Sequence, residues 1–300
     1  FNIGNIGGAS MGLNIVFGID TTTAAAISGI LGILLFASPK MGGVLDNTAK
    51  VLGTVMLVLI GYVAFSTNPP VAEAATHAIV PTNYPWLATI TLIGGTVGGY
   101  ITFSGGHRLI DAGITGREHL KDVRRAAFMG MSVDAIVRIL LFLAVLGVVS
   151  MGFALDPKDP AGSAFLLGAG EIGHKLFGIV FFCAALTSVV GAAYTSVSFL
   201  KTLFKVVERY EKLTIMAFIF VSTCILIFIG KPATLLIVAG SVNGLILPVT
   251  LAVMLLATRK TNIVGDYKHN PILFYTGWIV VLVTAYIGVT SLQGIAKLLG

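Results

Sequence analysis

The sequence predicts an all-α integral membrane protein with about nine transmembrane helices, and three observations carry that prediction. Hydrophobic residues make up 56% of the 300 residues and charged residues only 11%, with a mean hydropathy of +0.96, whereas a soluble domain carries about 25% charge. The apolar stretches have bilayer-crossing length and lack the period-2 alternation of barrel strands. The cations fall between these stretches and alternate in density from one connection to the next.

The candidate spans follow in order. Residues 1–18 are apolar but interrupted by Asn2, Asn5 and Asn14, and 21–37 is short. Residues 48–66 close at Ser66-Thr67-Asn68-Pro69-Pro70, which with Pro81 and Pro85 brackets an expected irregular loop. Residues 86–112 open on Trp86, an interfacial anchor like Trp278. Then come 126–153, a loop marked by Asp156-Pro157 and Asp159-Pro160, and the spans 172–200, 213–230, 233–256 and 272–296. The opening FNIGNIGG has neither a basic n-region nor a cleavage site, so it is not a signal peptide. It also lacks an initiator Met, as expected either of a fragment or of numbering that starts inside a larger protein.

Fourteen of the nineteen Lys and Arg residues lie in the connections around 40–50, 108–125, 201–212 and 259–268. Lys158, Lys175, Lys231 and Lys297 occupy the opposite set, and Arg138 alone sits within a span. By the positive-inside rule the rich set is cytoplasmic, so the chain starts inside the cell membrane and ends outside. The net charge of +6 therefore reports topology, and no nucleic-acid partner is expected. Cys183 and Cys224 lie in apolar stretches, where they read as small hydrophobes rather than as a disulfide or zinc site.

The segment 86–125 is the most informative. Seven glycines fall between Gly94 and Gly113, each costing a helix roughly 1 kcal/mol against alanine. Such a run suits a helix that unwinds at mid-membrane so that its carbonyls can hold a substrate. It also suits close packing through small residues. Asp134 and Arg138, four apart on one face, can pair with each other or serve gating or proton relay. His107, beside Arg108 and Asp111, is a proton-relay candidate or part of an interfacial cluster. The hydroxyls of Thr187, Ser188, Tyr194, Thr195, Ser196 and Ser198 bond their own backbone or reach a ligand. Asn243, with glycines on either side before Pro248, marks a kink or a second polar lining. Neither GxxxxGKS nor HExxH occurs, and IVGDYKHN at 263–270 reads as a loop rather than a phosphate cradle. No nucleophile–base pair points to an enzyme, and no cofactor is expected.

The order of features resembles the Nramp family of divalent-metal transporters. Residues 8–19, GASMGLNIVFGI, are similar to the family's third-helix G-A-x-x-x-L-N-L-L-F-G-I run. GGTVGGY at 94–100 stands where the sixth helix has G-A-T-V-M-P-H, and LFGIVFFCAALTSVVGAAYTS at 176–196 is similar to the eighth helix. Residues 255–282 resemble the loop before the final helix and that helix itself.

This resemblance implies the LeuT-like inverted-repeat fold, with the chain equivalent to helices three to eleven in a single transmembrane domain, 1–300. Residues 1–66 would complete the first repeat, 86–256 would form the second, and 272–296 would be an extra helix. The first two family helices would lie outside this sequence, leaving an open groove along Gly95–Thr102. The implied activity is secondary active transport of a divalent metal ion by alternating access, with the lipid bilayer, the ion and a coupling proton as partners. The implied site lies where the sixth helix breaks. There Gly95 and Thr96 present oxygens, Gly98 leaves room for a hydrated ion, and Tyr100 and Thr102 line the inner path.

Three departures qualify what the resemblance implies. Gly98 replaces the family's metal-binding Met, which shifts preference from soft ions toward Mg²⁺ or Mn²⁺. Gly99 and Tyr100 stand at the Pro and the His. Asn2 and Asn5 stand where proton-coupled members carry Asp and Glu, and asparagine does not titrate. One alternative keeps the fold and changes the substrate to a small organic solute or anion. The other is a sensor that no longer transports.

Overall fold

The computed structural model describes residues 1–97, 106, 109–110, 112–157 and 159–299, with only the backbone described at 39–50, 293, 295 and 297–299. Every regular element among the described residues is helical: α1 Asn2–Phe17, α2 Thr21–Ala37, α3 Pro39–Ser66, α4 Val71–Ile79, α5 Trp86–Thr96, α6 Leu120–Ser150, α7 Pro160–Lys201, α8 Lys205–Arg209, α9 Glu211–Ile229, α10 Pro232–Ala257, α11 Thr261–Val264 and α12 Pro271–Leu299.

Helix α1 forms despite four glycines and three asparagines because its small residues are packing surfaces. A side chain at Gly4 would strike Leu236 and one at Gly7 would strike Pro232, so this face lies on α10. Gly8 lies against Phe181 and Ala185, and Gly12 against the Gly178 carbonyl and Phe182 amide, so the neighbouring face lies on α7. Gly18, at φ 70°, ends the helix in the left-handed region open to glycine. The Asp20 carboxylate then caps α2, accepting from the Thr22 and Thr23 amides at 3.0 and 2.9 Å.

Two apolar clusters hold the bundle. Ile6, Ala25, Val189, Val197, Ile215 and Ile219 join α1, α2, α7 and α9. Leu59, Ile60, Val63, Ala144, Val148, Phe165 and Phe177 join α3, α6 and α7. Large apolar residues such as Phe65, Phe228 and Leu282 stay outside, on faces suited to lipid.

Several elements depart from the sequence expectation. Among the described residues five helices are long and apolar enough to cross a bilayer unaided, or seven spans if each sharply bent pair is one, against the nine expected. The difference lies at α1 and α2, of 16 and 17 residues, which turn by 118° at Gly18–Asp20, and at α5, whose continuation falls outside the described residues. At 1.5 Å per residue α1 and α2 are each about 25 Å long, just short of a hydrocarbon core. The loop expected at 67–85 contains the nine-residue α4, because Pro70 precedes an alanine-rich run with Glu73 in its first turn. The loop expected before 172 is helical from Pro160, capped by the Asp159 carboxylate on the Gly162 amide at 2.9 Å.

That helix breaks at Gly170, with φ 67° and ψ −171°. Phe165 and Phe177 stack with ring centroids 4.5 Å apart, although twelve residues of straight helix span about 18 Å. The segment 160–169 therefore folds back over the rest of α7.

Contacts at the helix ends fix the ends' relative positions. Gly147 at the end of α6 meets the Thr67 side chain at the end of α3, and Gly168 meets Val63. Gly162 meets Ile15 near the end of α1. The connections near 18–20, 67–70 and 151–159 thus gather at one end, consistent with the two-sided alternation of charge.

A cleft at the end of α5

Helix α5 packs on α10 through backbone. A Cβ at Gly94 would overlap the Gly240 carbonyl and the Gly244 amide, and one at Gly244 would come within 2.5 Å of the Ile90 carbonyl. The Thr91 and Ser241 hydroxyls meet at 2.7 Å across this contact, and Asn243 Nδ2 donates to the Gly94 carbonyl at 2.8 Å. One residue on, a Cβ at Gly95 would touch nothing within 4 Å. The two readings of the glycine run therefore divide between neighbours: Gly94 serves packing, and Gly95 stands at open space.

That space is a cleft of about 590 Å³ between the end of α5, the start of α1 and the middles of α6, α7 and α10. Of the residues expected at the site, Gly95, Thr96, Asn5 and Arg138 line it together. Asp134 joins through Arg138, whose Nε donates to its carboxylate at 2.8 Å with both side chains half-exposed. Gly98, Tyr100, Thr102 and His107 lie outside the described residues. So does the expected interruption after Gly95; the described helix ends at Thr96, with the Val97 amide on the Ile93 carbonyl at 2.9 Å.

The polar lining has a consistent character. Thr96, Ser188 and Thr195 each donate the hydroxyl proton to a carbonyl four residues back, at 2.5, 2.9 and 2.7 Å. Their oxygens are thereby left as acceptors. Asn5 Nδ2 donates to the Ser188 carbonyl at 3.1 Å, which leaves its Oδ1 as the free end. No carboxylate, thiol, thioether or imidazole lines the cleft among the described residues, and no group of three or more His, Cys, Asp and Glu forms there or elsewhere among them. Among the described residues the acceptors offered by side chains are thus all oxygens, set in a largely apolar lining with Arg138 as the charged side chain.

Sequence reasoning missed the pairing of Gly94 with Asn243 and of Thr91 with Ser241. The signal was present as two small-residue runs, 94–95 and 240–244, but nothing local says that they meet. It singled out Ser188 and Thr195 without separating them from Thr187, which bonds the Cys183 carbonyl at 2.8 Å and does not line the cleft.

The chain is 50% identical to a membrane protein of Haemophilus influenzae over 95% of its own length and 72% of that protein's. It is 50% identical to the membrane protein YcsG of Bacillus subtilis, over 97% of this chain and 72% of the relative. Its fold matches the crystal structure of the Eremococcus coleocola manganese transporter in complex with an aromatic bis-isothiourea substituted compound. That match has a TM-score of 0.65 at 15% identity, over 98% of this chain and 68% of the other. The model for the natural resistance-associated macrophage protein-like (Nramp) family matches residues 1–293, so the all-helical membrane chain belongs to the Nramp family, a family of transporters rather than of enzymes.

Proposed function

We propose that this chain carries a divalent metal ion across the cell membrane by alternating access, with hard cations such as Mg²⁺ and Mn²⁺ favoured. The observation that carries the proposal is the set of acceptor oxygens where α5 ends: Thr96, Ser188 and Thr195, with Asn5 beside them. Hydroxyls whose protons are committed to backbone suit a hard or hydrated cation. The absence of thioether and thiol from the described lining removes the advantage of soft ions. Family membership supports the transport class, and the solved relative of the same fold is a manganese transporter. Gly95 and Thr96 take the ion, Gly98 leaves space for its water, and Tyr100 and Thr102 line the inner path. Asp134, Arg138 and His107 are the gating or proton-path candidates. Asn5 does not titrate, so protons do not couple through it. The cation-rich connections face the cytoplasm.

One observation favours a second reading. Arg138 lines the cleft and no carboxylate does among the described residues, which suits a small organic anion. Flux in proteoliposomes decides between the readings, with Mn²⁺, Mg²⁺ and Cd²⁺ offered in turn to wild type and Gly98→Met. Metal transport predicts Mn²⁺ or Mg²⁺ flux in wild type and a shift toward Cd²⁺ in the variant. If no divalent ion moves in either protein while an organic acid competes for binding, the cargo is the acid.

A further inference from the structure

The last turn of α5 is held by a side chain from another helix. Here the Gly94 carbonyl accepts from Asn243 Nδ2 on α10 at 2.8 Å. Asn243 is 3% exposed, and its Oδ1 has no partner among the described residues. A half-satisfied buried amide in an apolar helix is costly, and an aliphatic residue would fill the same volume without that penalty. The contacts around it show what the amide accomplishes. Backbone packing of Gly94 on Gly240 and Gly244 brings α10 against α5 up to residue 94, and the grip ends there. Gly95, with open space at its Cβ position, and Thr96 face the cleft immediately after it.

We propose that Asn243 is a positioning residue for the cleft. Its Nδ2 pins the Gly94 carbonyl and thereby sets where Gly95 and Thr96 present themselves. It touches no ligand and acts through the end of α5. The inference rests on the reading of the cleft as a transport site, so its test must not depend on which solute is carried.

The test is the rate at which a membrane-impermeant methanethiosulfonate reagent labels Thr96→Cys, relative to Ser188→Cys. Both are made in protein whose Cys183 and Cys224 are replaced by Ala and which is reconstituted in liposomes. Ser188 lines the same cleft from α7 and serves as the internal reference. Asn243→Leu should change the ratio by about fivefold, the population shift expected of one lost hydrogen bond. Asn243→Asp keeps the shape. Protonated, it donates to the Gly94 carbonyl; ionised, it has only acceptors. Its ratio should match wild type where the carboxyl is protonated and the leucine variant where it is ionised, each ratio being divided by the ratio of the same two cysteines with Asn243 intact at that pH, so that the thiols' own titration drops out.

An unchanged ratio in Asn243→Leu overturns the proposal, as does an Asn243→Asp ratio that matches neither wild type nor the leucine variant at any pH. Equal changes at both cysteines overturn it too, since they report general loosening. Mn²⁺ flux measured in separate liposomes holding the wild-type protein tests the cargo independently. A shifted ratio with no wild-type Mn²⁺ flux upholds the positioning role and removes the metal reading.

Discussion

Gly94 and Gly95 are adjacent in sequence and opposite in expected consequence. A methyl at Gly94 would overlap the Gly240 carbonyl oxygen and the Gly244 amide nitrogen and would lie 2.9 Å from Gly244 Cα. Carbon atoms in ordinary contact sit at about 3.5–4.0 Å, so that last contact alone requires α5 and α10 to part by about 1 Å. The two overlaps require more, and all three obstacles are backbone, which cannot rotate away. Overpacking costs about 1–3 kcal/mol. Parting the helices also stretches the Asn243–Gly94 bond from 2.8 Å, which removes about another 1 kcal/mol. Gly94→Ala should therefore lower the thermal midpoint in detergent by roughly 5–10 °C. Gly95→Ala meets no atom within 4 Å and should leave the midpoint unchanged or raise it, since alanine favours helix over glycine. Fluorescence-detected thermal unfolding of the two purified variants beside wild type is the assay. A Gly94→Ala midpoint equal to wild type, or equal losses in both variants, would refute the assigned packing.

Other consequences concern caps and sides. Burial raises the Asp159 carboxyl above the ordinary range, against the pull of the Gly162 amide. Its raised folded-state value means that stability falls as pH rises from the ordinary carboxylate range through that value, so Asp159→Asn should flatten this part of a pH–unfolding curve. Asp20 has the opposite sign: bonds from the Thr23 hydroxyl and amide lower it. Its contribution is present above the ordinary carboxylate range and is lost as pH falls through the lowered value. Asp20→Ala should therefore weaken unfolding resistance near neutral pH and show less change on acidification. For orientation, Lys231→Cys should label from outside intact cells and Lys205→Cys should not; the reverse pattern would invert the topology.

The helical membrane class was legible because its signals are local. Twenty apolar residues satisfy the bilayer whatever their neighbours do, and cations flanking a span set orientation without reference to packing. Arg138 stood out for the same kind of reason, since a charge at membrane depth needs explaining, whereas Asn5 stood out through the family resemblance. Asn243 was noticed as well, but its partner, the Gly94 carbonyl, is 149 positions away and has no local signature. The segment 160–169 misled because Asp-Pro pairs mark loops in general, whereas here Asp159 and Pro160 are the cap and first residue of a helix.

The sequence by itself thus determined the helical class, most of the span boundaries, the alternation of charge and the residue types from which a site could be made. Only the tertiary structure decided which glycine is which. Gly94 lies under α10 and Gly95 beside a cleft because helical neighbours turn 100° apart, so one meets a facing helix where the next meets none. The fold-back at Gly170 and the convergence of Asn5, Thr96, Arg138 and Ser188 on one cleft were likewise set by which helix faces meet. Contacts between distant segments depend on shape complementarity across the whole bundle, and hydropathy along the chain does not encode it.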